Sequence, residues 1–83
     1  MTDVLVKSIN ARKYNAKQLM GMYYSGKHSK KEIADELKAR AAYVFDCGNA
    51  HATEIVAIIH QIERWADGLI SAQMLENYIG DAI

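Results

Sequence analysis

The sequence predicts an all-α fold: a compact bundle of about four helices joined by short turns, with a short irregular N-terminal arm. Three observations predict it. Proline is absent from the 83 residues, so no helix is broken by a missing N–H. The glycines fall mostly where a periodic segment stops, the usual place for a helix C-terminus. Apolar residues make up 51% of the chain against 24% charged, the balance of a folded chain, and they recur at three- and four-residue spacing.

The first helix is predicted from Asn15, which with Gln18 has the spacing of a capping box, while Tyr14 and Leu19 have that of a hydrophobic staple. It stops near Ser25-Gly26. Gly21 in its interior costs about 1 kcal/mol relative to alanine. The second helix starts at Ser29, with Glu32 completing Ser-x-x-Glu, and Ile33, Leu37, Ala41, Val44 and Phe45 face the core. The third runs from Asn49 or Ala50 to Ala66, closed by Asp67-Gly68. Its stripe is Ile55, Ile59, Ile62, Ala66 and Leu69, widened by Val56, Ile58 and Trp65, so the helix is central or contacts another subunit. The fourth is capped by Ser71, stapled by Ile70 and Leu75, and buries Leu75, Tyr78, Ile79 and Ala82.

The opening segment, "DVLVKSI", alternates too briefly to separate a strand, a helical turn and an ordered arm, so residues 1–14 are assigned to the arm of a single domain, 1–83. Cys47 is the only cysteine, which excludes an intrachain disulfide and fits a reducing cytosol. A core of this size supplies about 3–5 kcal/mol, which makes self-association the readiest further support, and a homo-oligomer is expected. No apolar run approaches the roughly 20 residues that span a bilayer, and no signal-peptide core is present, so the expectation is a soluble cytoplasmic protein with no membrane partner.

The net charge of zero hides a division at Arg40. Residues 1–40 hold nine of the ten Lys and Arg against four acids, and residues 41–83 hold Arg64 against six. The halves therefore carry equal and opposite charge, as expected of a polyanion-facing half or of head-to-tail self-association. Lys27, His28, Lys30 and Lys31 gather at the start of the second helix, where unpaired backbone N–H groups suit phosphate or carboxylate. Tyr23 and Tyr24 stand close enough in sequence to stack on a base. The alternative is a solvated, solubilising charge run with Tyr23 in the core.

Within Lys30 to Gly48, "KKEIADELKARAAYVFDCG", Ile33, Ala34 and Leu37 are spaced as in the first helix of a helix-turn-helix unit. The segment resembles such a DNA-binding unit. That resemblance implies a turn at Lys38–Arg40 with Ala39 buried beside it, Val44 and Cys47 as inward residues of a recognition helix, and contacts to DNA from Lys38, Arg40 and Tyr43. Lys38 stands where the motif carries glycine, and Lys38 to Ala42 are all good helix formers, so intrinsic propensity predicts one unbroken helix.

Catalytic groups are not evident. Cys47 and His51 lack a third orienting group, and with His60 they fall short of a zinc pattern. His60 and Glu63 have the spacing of a surface pair, and "SGKHS" lacks the first glycine of a phosphate loop. No catalytic residue, metal or cofactor is expected. Three functions remain. The first is a regulatory module that engages DNA or a nucleic-acid-containing complex. The second is a protein-binding inhibitor or adaptor, similar in kind to small phage and mobile-element proteins, which meets a host protein through Ile58, Trp65 and Tyr78. The third is sequestration of a small anionic nucleotide between subunits.

Overall fold

The computed structural model describes residues 13–48 and 50–83. Four helices occupy them: α1 (Ala16–Tyr24), α2 (Lys30–Asp46), α3 (Ala52–Ala66) and α4 (Ala72–Ile79). None of the described residues forms a strand. "DVLVKSI", nearly all of the arm, and Asn49 lie outside the described residues.

The helix starts follow the capping chemistry. At Asn15 and at Ser29 the capping box is complete: each side chain accepts from the N–H three residues on, and Gln18 or Glu32 reaches back to the cap N–H. Ser71 accepts from the Met74 N–H at 3.1 Å. Helix α3 begins later than the spacing predicts, after His51, which makes no side-chain cap. The ends of α1, α2 and α3 share one device: Gly26, Gly48 and Gly68 adopt φ between 75° and 80°, where a Cβ is strained.

Helix α2 packs most extensively on α3, and contacts of α1 with α2, α4 with α3, and α1 with α4 close a ring. Inside it lie Leu19, Met20, Ile33, Leu37, Ala41, Val44, Ile55, Ile58, Ile62, Trp65, Leu75, Ile79 and Ile83. Of the broad stripe predicted for α3, Ile55, Ile58, Ile62 and Trp65 are buried and Ile59 packs half-buried against the core, whereas Val56, Ala66 and Leu69 are exposed. The face that buries the indole, the largest side chain present, turns inward. Leu69 is 67% exposed because α3 ends before it, and the left-handed Gly68 turns the chain away. Its N–H bonds Arg64 O at 2.8 Å while Gly68 N–H bonds Trp65 O, the paired closure of a Schellman end.

Four other positions predicted to face inward are at the surface. Phe45 is 44% exposed, Tyr78 and Ala82 face solvent, and Cys47, the C-cap of α2, is exposed. On α2 the series Ile33, Leu37, Ala41, Val44 already fills the inward face, which leaves Phe45 beside it. On α4 the pair Leu75 and Ile79, one turn apart, does the same.

Gly21 lies inside α1 with open space where a Cβ would stand, and its φ is not positive. Gly21→Ala should therefore stabilise the protein in dilute solution by about 0.5–1 kcal/mol. Thermal denaturation measures it, since 1 kcal/mol shifts the Tm of a domain this small by about 4–8 °C. A lower Tm would show that the glycine serves the fold.

Candidate functional site

The start of α2 is partly taken up by the chain itself. Ser29 Oγ accepts from Glu32 N–H, Glu32 Oε1 accepts from Ser29 N–H at 3.0 Å, and so the chain's own carboxylate already occupies the positive helix end. Lys30 turns away from it. Its Nζ donates to Trp65 O at 3.1 Å and lies 5.4 Å from the indole centroid. The start of α2 stands beside the end of α3, so this ammonium sits at the partly negative terminus of a neighbouring helix. The lysine that looks misplaced against its own helix dipole is matched to the next one.

The other predicted anion contacts are dispersed by similar attachments. Tyr23 packs edge-on against Trp65, with centroids 5.0 Å apart and planes at 89°. The Tyr24 hydroxyl donates to Glu76 Oε2. That bond to a carboxylate pushes the phenol up to about 12, with burial and the negative charge of Glu76 adding to it. Lys38 lies 3.9 Å from Asp35, a half-exposed pair that contributes little. Arg40 Nε donates to the Ile83 main-chain oxygen at 2.6 Å, and its guanidinium lies 5.6 Å from the Tyr43 ring. Lys27 and Lys31 remain exposed, and His28 is half-buried beside them.

The turn implied by the helix-turn-helix resemblance is absent. Helix α2 runs unbroken through Lys38, Ala39 and Arg40 to Asp46. Without a turn there is no second helix to lay in a groove of DNA, and the side chains of the segment wrap around one helix axis. Local propensity decided this: five consecutive good helix formers replace the residue able to reverse the chain.

The predicted interface residues separate. Ile58 and Trp65 are core residues, at 4% and 1% exposure, and Trp65 lies near Tyr23 and Lys30 at the far end of α3. Tyr78 is 51% exposed. It lines a groove of about 380 Å³ between α3 and the C-terminal segment with Thr53, Glu54, Ala57, the edge of Ile58, and Ala82. Met74, one turn before Tyr78, is exposed as well. A second hollow, about 430 Å³, lies over α1 and is lined by Tyr14, Gln18, Gly21, Met22, Ser25, Lys27 and His28. Sequence reasoning did not find Glu54, Ala57 or Met74. The small pair Thr53 and Ala57, one turn apart on a helix of large apolar residues, was the available signal.

Among the described residues no three His, Cys, Asp or Glu side chains are grouped as a metal ion requires. No helix is long and apolar enough to cross a membrane among those residues. No family model matches the chain, and no curated protein or solved structure matches it.

Two measurements check these contacts. Lys30→Ala should cost about 1.5 kcal/mol by urea denaturation, the contribution of a charged hydrogen bond, whereas Lys31→Ala should stay within about 0.5 kcal/mol. Equal effects would remove the Trp65 carbonyl as the reason for Lys30. The Tyr24 phenol, followed by ultraviolet absorbance, should titrate near pH 12 and move back toward 10 in Glu76→Gln. Since the folded pKa is the raised one, its stabilisation is full below about pH 10 and lost as pH rises through 12.

Proposed function

We infer that the protein is a non-enzymatic protein-binding module, an inhibitor or adaptor, that meets its partner through the groove between α3 and α4. The observation that carries this reading is Tyr78: an aromatic side chain, 51% exposed, standing over a groove floored by Ala57 and the edge of Ile58. Exposed tyrosines beside small apolar residues are the usual anchors of protein interfaces. The rim carries Glu54 and no cation, which selects a partner surface with positive charge.

The polyanion reading keeps Lys27, His28 and Lys31 but has lost its reader. Lys30 and Arg40 are held on main-chain oxygens, Tyr23 is packed against Trp65, and Tyr24 is bonded to Glu76. A nucleotide at the start of α2 would meet the Glu32 carboxylate, a like charge already seated in the capping box. Neither reading has a specific contact in its favour.

A photo-crosslinking amino acid placed at Tyr78 tests the proposal. It should capture one discrete polypeptide, and an excess of wild-type protein should compete the capture away. A folded Ala57→Lys variant, whose groove is filled and charge-reversed, should not compete. Equal competition by both proteins would remove the groove as the binding surface.

A further inference from the structure

Gly21 occupies the middle of α1, where only proline is less favourable to a helix. Among the described residues nothing accounts for it: its φ is not positive, and no atom of theirs lies within 4 Å of where its Cβ would stand. What the missing side chain does produce is the floor of the hollow on α1. Tyr14, Gln18, Met22 and Ser25 line that floor along one helix face, and Lys27 and His28 stand at one end of it. No acid lines the hollow. Lys13 lies near its wall, 5.8 Å from the Tyr14 ring centroid.

The other hairpin carries the complementary shape and charge. Tyr78 and Met74 project from α4, and the groove beneath Tyr78 has Glu54 as its one charged lining residue. We propose that a second copy of this chain is the partner: Tyr78 of one copy enters the hollow over Gly21 of the next, bringing Glu54 toward Lys27 and His28. This rests on the reading of the α3–α4 groove as a protein-binding surface. Groove against groove would oppose Glu54 to itself, and hollow against hollow would oppose the lysines. Only groove against hollow pairs unlike charges. The contact is heterologous, so it propagates head to tail until a ring closes.

Sedimentation of the full chain up to about 1 mM, the range of weak interfaces, tests this. The mean mass should rise with concentration and fall with added salt, which screens exposed charges. Gly21→Leu fills the hollow with a strong helix former, so it should melt no lower than wild type and yet associate about tenfold more weakly or worse. Tyr78→Ala should weaken association to a similar degree. Mixing these two variants leaves one intact hollow and one intact Tyr78, so a one-to-one dimer should form and nothing larger. A wild type that stays monomeric throughout overturns the inference, as do variants that associate like wild type, or a mixture that stays monomeric. If the chain is monomeric but the crosslinker at Tyr78 still captures a different protein, this inference falls and the protein-binding reading stands. If the crosslinker captures nothing either, both fall.

Discussion

Lys30 reaches from the first turn of α2 to the last turn of α3, where its ammonium meets Trp65 O at 3.1 Å. The same carbonyl accepts from Gly68 N–H and so also closes α3. On the other side of the indole stands Tyr23 of α1. One residue thus joins three helices and fixes where the third ends. The shorter helices depend on this assembly, because α1 has 9 residues and α4 has 8, below the roughly 12–15 at which a helix is even marginal alone in water. Their helicity follows from burying Leu19, Met20, Leu75 and Ile79 against the α2–α3 pair.

The division of charge acquires its meaning from the same geometry. Residues up to Arg40 build the α1–α2 hairpin, with the rest of α2, and the acidic half builds α3 and α4. Four long-range polar contacts run one way between them. Lys30 donates to Trp65 O, Arg40 to Ile83 O, Tyr24 to Glu76, and Ala16 N–H to Ile83 O. In each the donor belongs to the first half and the acceptor to the second. Each such bond adds only about 1 kcal/mol, more where a charge takes part, so their combined effect on stability is modest beside the core. Their directionality is the larger effect: a shifted or inverted docking of the hairpins would leave cations without acceptors. Of the cations in the first half, Lys30 and Arg40 are engaged on main-chain oxygens of the second, while Lys27 and Lys31 stay exposed.

What was legible in the sequence was local. Asn15 with Gln18, Ser29 with Glu32, and Ser71 mark helix starts because a cap is satisfied within three residues, and Gly26, Gly48 and Gly68 mark ends because φ is a property of one residue. The unbroken α2 was legible in the same way, from the propensities of Lys38 to Ala42. Which edge of the broad stripe on α3 stays in solvent was not, because Val56 and Leu69 fit the helical spacing as well as Ile58 and Trp65 until the position of Tyr23 is known. The site was less legible still. Lys30 is one of several lysines in the sequence, and only the adjacency of two helix ends, far apart in the chain, distinguishes it from Lys31. Tyr78 fits the helical rhythm as a core residue, yet Leu75 and Ile79 already fill the space available to α4.

A sequence that specifies one fold has local propensity, packing and polar satisfaction in agreement, and departures mark positions shaped by something else. Among the described residues the departures include a buried carboxylate, Glu36, and the exposed apolar side chains Val56 and Leu69. Trp65, Lys30 and Arg40 are consumed by the fold, and the capping residues by their helices. Gly21 weakens α1 without serving a turn or a close approach among the described residues. Tyr78 exposes an aromatic ring that a shorter polar residue would replace at no loss to the core. Ala57 leaves a groove on the most apolar helix of the chain. Two of these are absences of side chain and one is an excess, and they lie on opposite-charge hairpins. The core of the described residues requires neither the hollow nor the projecting ring, and the proposed head-to-tail association is the reading that uses both together.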